Sequence, residues 1–395
     1  MEWLLYVQLS LMMFLQFAVW GAWSPVLAAR LLGPLRMTGK QTGWIYGTVY
    51  LGCIVSPLIA GQIADRWIAT QWFLAGAYLV GGALLLVAAT RRTFPGLFVV
   101  MGLYALAFAP TLALTNSLMF SHLKDPANEA FGVMVWGVVS WVLVGWALAL
   151  WRRVKGTGEG ADCLVLAGVL SLALGLYCFT LPHTPPRGSP DQALPFVKAL
   201  GMLKEPNLLV FFLVSLVVAS QLQYYYLGTA SYLGDLGVEG RNVPAVMTLA
   251  QVAQVIAMAF MAFLGTRVLG SLGFRMTLVL GVVLWAAMFG AFALMHPKGL
   301  VVLSQALHGV AYTFFINVGF VFIDSAAPKD ILGSAQALYT VTLFGFGCFL
   351  GTQLTGVVMD VFKTSEGKFR WRPIFMAPAF LVLGCALALA VFLRK

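Results

Sequence analysis

Residues 5–29 read LYVQLSLMMFLQFAVWGAWSPVLAA, and no side chain among them is acidic or basic. A helix needs about 20 apolar residues to cross the hydrocarbon of a bilayer, so this stretch is long enough to span. Met1 and Glu2 precede it rather than a basic segment, which is not the pattern of a cleaved leader, and the run is expected to be kept. Eleven more runs of the same kind occur, at 41–64, 71–90, 94–120, 130–151, 162–181, 206–233, 243–266, 273–295, 299–323, 331–361 and 373–393. Twelve spans of about 24 residues use most of the chain and leave only short connections. Composition agrees: 61% of residues are hydrophobic, 10% are charged, and the mean hydropathy is +0.91. A soluble domain is about 45–50% apolar and about 25% charged. The surplus apolar surface must face lipid, which excludes a secreted disulfide scaffold, a disordered chain and an ordinary cytosolic enzyme.

The net charge of +10 comes from 24 Lys and Arg against 14 Asp and Glu. The basic residues are scattered among short connections without a cluster, so they read as membrane flanks and not as a nucleic-acid surface. The five cysteines (Cys53, Cys163, Cys178, Cys348 and Cys385) lie in or beside apolar runs, with no CxxC and no His/Cys set for a metal. No Walker A loop, HExxH or GxSxG is present, so neither an enzyme nor an ATP-driven pump is expected, and no cofactor is implied.

One connection is longer than the others. Residues 182–205 read PHTPPRGSPDQALPFVKALGMLKE, too rich in proline for a continuous helix. It divides the chain into an N-terminal six-helix half (1–181) and a C-terminal one (206–395). Features recur across it at a nearly constant offset: Gln16 with Gln221, Asn116 with Asn317, Gly132 with Gly333. The expected fold is an all-α integral membrane protein of twelve transmembrane helices in two pseudo-symmetric halves. Such repeats hold substrate near the midplane.

The link GQIADRW (61–67) carries Gly-x-x-x-Asp-Arg through Gly61, Asp65 and Arg66. Glycine permits close helix approach, and the two charges at the water boundary can latch a gate. The pattern resembles the signature of the major facilitator superfamily, whose members keep this loop in the cytoplasm, so both termini are expected there. The basic residues point weakly the other way: loops on the side of the termini carry 10 of them and loops opposite carry 14.

Polar side chains deep in apolar spans are costly and belong inside a bundle or at a water-filled cavity. Here they are mostly amides: Gln16, Asn116, Gln221, Gln223, Gln251, Gln254, Gln305, Gln336 and Gln353, with His308, Thr313 and Asn317. Gln251 and Gln254 share a helix face by their spacing of three, as do Thr313 and Asn317 by their spacing of four. Gln221 and Gln223 are two apart and cannot both point inward, and Gln223, in QLQYYY, is the expected cavity residue. Amides offer both a donor and an acceptor, which suits a neutral, hydrogen-bonding solute. Tyr226, Trp141 and Tyr312 could pack on a flat heteroaromatic ring beside them. Packing glycines include Gly345, Gly347 and Gly351 in the eleventh run.

Eight segments carry a closer resemblance: LQFAVWGAW (15–23), ADRW (64–67), PTLALTNS (110–117), VWG (135–137), LPHTP (181–185), QLQ (221–223), SAQAL (334–338) and GFGCFLG (345–351). Over nearly the whole chain they resemble the nucleoside:proton symporter family of the major facilitator superfamily. The resemblance implies a nucleoside carrier of the cell membrane, with Gln223 and Gln251 matching family polar contacts. It also exposes three departures. Met134 stands where the family has an arginine, Gln254 where it has a glutamate, and Thr313 where it has an aspartate.

Taken together, these features point to a monomeric, multi-pass carrier of nucleosides working by alternating access in the lipid bilayer, without strong proton coupling. A sugar or drug carrier of the same superfamily and a non-transporting membrane receptor are the alternatives. Substrate contacts are expected from Gln223, Gln251, Gln254, Tyr226, Trp141, Tyr312, Thr313 and Asn317. The Asp and Glu residues fall in loops or near span ends, none mid-span, and His308 is the charge-bearing residue left well inside a span, either a coupling residue or a neutral histidine satisfied by Ser304, four residues before it.

Overall fold

The computed structural model describes residues 2–393 apart from 67, 124–125, 186–199, 327–334 and 336–337. At 56–66 and a few other helical positions it describes backbone alone. Helices account for almost all of it. They are α1 (Trp3–Trp23), α2 (Leu27–Leu32), α3 (Gly39–Arg66), α4 (Thr70–Thr90), α5 (Phe94–His122), α6 (Pro126–Lys155) and α7 (Asp162–Tyr177). After the long connection come α8 (Pro206–Asp235), α9 (Val243–Leu294), α10 (Lys298–Tyr312), α11 (Val318–Ala326), α12 (Cys348–Val361) and α13 (Trp371–Phe392). Among the described residues, eleven helical stretches are long and apolar enough to cross a membrane. The second apolar run lies on α3, a further helix of 28 residues.

The breaks have local causes. Pro25 ends α1, and the turn after it is tied down by Tyr46, whose hydroxyl donates to the Ser24 carbonyl at 2.7 Å and accepts from the Ala28 N–H at 2.9 Å. α9 runs through two apolar stretches, Val243–Met261 and Arg267–Leu294, and kinks at Gly273, whose φ of 71° and ψ of 168° suit only glycine. α8 starts with Pro206 at its first position and Glu205 as its cap, the carboxylate accepting from the Leu208 N–H at 3.0 Å. α10 and α11 are joined by a π-helical turn, Thr313–Asn317, and a second π-helical stretch, Val341–Gly347, leads into α12.

The chain forms two compact units, Met1–Asp191 with Gly237–Thr248, and Gln192–Leu236 with Leu249–Lys395. In the first unit α4 and α7 touch backbone to backbone. A Cβ on Gly168 would sit 2.8 Å from the Leu86 side chain and 3.1 Å from the Gly82 carbonyl oxygen. The LPHTP segment is pinned to the start of α4. Gln71 Oε1 accepts from the Thr184 N–H at 3.0 Å, and the Thr70 N–H donates to the Thr184 carbonyl at 3.0 Å. At the far end of α6, Arg152 forms a two-pronged ion pair with Asp162 at 2.6 and 2.8 Å. Its remaining amino group donates to the Gly240 carbonyl at 3.4 Å, and Arg153 donates to Asn242 Oδ1 at 2.8 Å.

The second unit is built around α8, which is more deeply enclosed than the other membrane-length helices of that unit. Trp371 donates to Asp235 Oδ2 at 2.7 Å and packs with Tyr232 and Phe375, and Tyr232 donates to the Phe292 carbonyl at 2.6 Å. Large apolar side chains such as Trp3, Phe263 and Phe380 remain exposed, as expected of a surface that meets lipid.

The α4–α7 contact predicts that Gly168→Val lowers the thermal midpoint of the detergent-purified protein, since overpacking of this kind costs about 1–3 kcal/mol. Gly76→Ala and Gly102→Ala, with nothing within 4 Å of an added Cβ, should melt like the parent. Indistinguishable melting of Gly168→Val would show that the two helices do not meet there.

Candidate functional site

Each unit carries a buried polar cluster, and the two differ in what they leave unmet. In the first unit Gln16 of α1 is 1% exposed. Its Oε1 accepts a hydrogen bond from the Tyr78 hydroxyl of α4. Tyr78 also lies 3.0 Å from Thr115 Oγ1 of α5, and Gln16 Nε2 donates to Thr111 Oγ1 at 3.5 Å. These groups satisfy one another and tie three helices together, which is the structural role an intramembrane amide plays when it has near partners.

The second unit holds a cluster centred on His308 of α10, which is 1% exposed. The Tyr225 ring of α8 stacks on the imidazole with centroids 4.2 Å apart and planes 19° apart, and the Tyr226 ring meets it edge-on at 5.9 Å. Tyr312 lies 6.2 Å away, and Trp285 of α9 lies 6.0 Å away. The Trp285 indole N–H donates to His308 Nδ1 at 3.2 Å. The Tyr225 hydroxyl donates to Gln305 Oε1 at 3.2 Å. His308 Nε2 and Gln223 Oε1 are buried and make no hydrogen bond among the described residues. Unmet polar groups in so dry a setting are costly, and they are what a hydrogen-bonding ligand would use.

Two glycines set close helix contacts beside the glutamines of the same unit. A Cβ on Gly309 would overlap the Ala250 carbonyl oxygen, so α10 lies directly on α9 beside Gln251 and Gln254. A Cβ on Gly351 would fall 2.8 Å from the Gln223 side chain, so α12 lies on α8 at that residue. Gln251 is buried and Gln254 half-buried. Thr313 is buried, donates to the Gly309 carbonyl at 3.1 Å, and opens the π turn that ends at half-buried Asn317. Gln223, Gln251, Gln254, Tyr226, Tyr312, Thr313 and Asn317 therefore all belong to the second unit. Trp141 belongs to the first, where it packs edge-on against Trp20 with centroids 6.1 Å apart. Gly61, Asp65 and Arg66 fall in the last turns of α3, and their side chains lie outside the described residues, as does Gln336.

Three sequence expectations change. Gln221 and Gln223 are both buried, at 1% exposure each, because α8 is enclosed on nearly every side from Ser220 to Tyr225. Ser304 is not the partner of His308: its hydroxyl donates to the Val301 carbonyl one turn back, at 2.8 Å, and the partner is Trp285. Thr313 and Asn317 share a π turn rather than an α-helical face. Trp285 is not among the residues expected at the site. Its one signal is a lone indole in the Val- and Leu-rich run 273–295, which periodicity assigns to packing.

Comparison with known proteins adds relationship to this geometry. The family described as Nucleoside H+ symporter matches residues 4–395. The putative nucleoside transporter YegT of Escherichia coli (strain K12) is 31% identical, over 98% of this chain and 93% of that protein. The nucleoside permease NupG of the same organism is 25% identical, over 94% of this chain and 91% of that protein. The crystal structure of the nucleoside transporter NupG shares the fold, with a TM-score of 0.87 at 24% identity, covering 99% of both chains.

Proposed function

The chain belongs to the nucleoside H+ symporter family of membrane permeases, and from that premise we propose that it moves nucleosides by alternating access as a facilitator, without proton coupling. It is a multi-pass membrane carrier and not an enzyme. The observation that carries the facilitator reading is the chemistry of the second unit's cluster. Amides, tyrosines, an indole, a threonine and one histidine make it up, and no charged side chain is among the described groups packed on His308. A symporter needs a group whose protonation changes during the cycle, in membranes usually a buried carboxylate or a histidine. At the two places where family resemblance implies an acid, this chain has Gln254 and Thr313.

Gln223, Gln251 and Gln254 supply the donors and acceptors for the base and ribose edges, and Tyr226 and Tyr312 supply apolar faces. Thr313 and Asn317 lie at the widened turn, where a π segment commonly marks function. The six-helix halves are taken as 1–181 and 206–395, although residues 237–248 pack with the first unit, with the connection 182–205 and both termini in the cytoplasm. Cysteine labelling from either side tests this orientation, and the expected pattern is labelling of the termini from the cytoplasmic face and of Thr364 from the outer face.

Two experiments test the function. Losing one hydrogen bond to a buried partner costs about 1–3 kcal/mol, so Gln251→Ala should weaken uridine binding about 5- to 150-fold. Full affinity in both Gln223→Ala and Gln251→Ala would reduce these amides to helix packing. In proteoliposomes, labelled uridine should equilibrate and stop whatever the pH gradient. Concentrative uptake driven by an inward proton gradient would refute facilitation.

A further inference from the structure

The imidazole of His308 is held by a partner that can only donate. We propose that Trp285 is a positioning residue: its indole N–H fixes His308 as the neutral Nε2–H form and presents the substrate with a hydrogen-bond donor that cannot serve as a proton carrier. This rests on the reading that the second unit's cluster receives a nucleoside.

Hydrogen-bond polarity decides the state of the ring. Indole has a single N–H and no acceptor. It lies 3.2 Å from His308 Nδ1, so Nδ1 must offer a lone pair. An imidazolium carries hydrogen on both nitrogens and would set N–H against N–H at that distance. The tautomer with hydrogen on Nδ1 fails for the same reason. Only the neutral ring with its proton on Nε2 fits.

Four aromatic rings stand about the imidazole. Tyr225 covers one face at 4.2 Å, Tyr226 closes an edge at 5.9 Å, and Tyr312 and Trp285 stand about it at 6.2 and 6.0 Å. The Tyr225 hydroxyl is already given to Gln305. Among the described residues, the titratable groups whose rings pack on the imidazole are Tyr225 and Tyr226 from α8 and Tyr312 from α10 itself, and α9 contributes the Trp285 indole. No carboxylate among these contacts offers to stabilise a charged ring.

That leaves Nε2–H, buried and without a partner among the described residues. A nucleoside can meet it with a base carbonyl, a bare ring nitrogen or a ribose oxygen. Because Trp285 forbids the other tautomer, His308 discriminates against any ligand that presents its own N–H at this point. Trp285 thereby sets specificity without touching substrate.

The test uses the full chain in nanodiscs with nitrogen-15 histidine. The protein has four histidines, and the His308 signals are assigned by their loss in His308→Gln. The expected spectrum shows one bare and one protonated ring nitrogen, the proton on Nε2, unchanged from about pH 5 to about pH 8, a range that spans the ordinary histidine titration. In Trp285→Phe the two nitrogens should converge as tautomers exchange, and uridine uptake should acquire an acid limb that the parent lacks. An imidazolium at neutral pH in the parent, or an unchanged pattern in Trp285→Phe, would overturn the proposal. Uridine binding should fall about 5- to 150-fold in His308→Leu and recover in His308→Gln, whose amide N–H reaches the place of Nε2. Parental affinity in His308→Leu would refute the donor role. Absence of nucleoside binding by the parent would overturn the functional reading and the donor role with it, while the spectrum would still decide whether Trp285 fixes the ring.

Discussion

Hydrocarbon offers no hydrogen bonds, so every polar group carried into the bilayer must be satisfied by the protein or by a molecule the protein binds. The rest of this structure depends on that constraint. It makes the backbone of each described span helical. It also sorts the intramembrane amides into two kinds: Gln16, whose partners Tyr78 and Thr111 come from α4 and α5, and Gln223, whose carbonyl oxygen has none among the described residues. The first kind holds helices together. The second leaves binding free energy available to a solute.

Close packing prepares the second kind. Gly309 and Gly351 remove the methyl groups that would hold α10 from α9 and α12 from α8, and so set the depth at which Gln223, Gln251 and His308 lie. The two π-helical stretches, Thr313–Asn317 and Val341–Gly347, occur in the same unit. Each adds a residue to a turn without ending the helix, which re-aims the side chains of the next turns. Tight backbone contact and a widened turn therefore act on the same few side chains.

Much of this is legible in the chain without its fold. The apolar runs mark the spans because helix length and bilayer thickness are tied by geometry, and the Gly273 kink stands at the start of the expected run 273–295. The deep amides stand out because polarity in an apolar run is rare. Pairing between distant residues is another matter. Ser304 is near His308 in the chain, yet its hydroxyl finds a carbonyl one turn back, as serines in helices commonly do. Trp285 is 23 positions away and meets the imidazole. A π turn likewise escapes any argument built on a period of 3.6, so the relation of Thr313 to Asn317 is legible in sequence only as proximity.

The contact of Arg152 and Arg153 with Gly240 and Asn242 bears on how the protein is made. The first unit is discontinuous: residues 192–236, which belong to the second, are synthesised before its last piece, Gly237–Thr248. A ribosome delivers the chain in order, so the two guanidinium groups at the end of α6 gain these acceptors only after α8 has been made. The Arg152–Asp162 pair, by contrast, needs nothing made after residue 162. Biogenesis of the N-terminal unit thus ends with residues encoded beyond the midpoint of the chain.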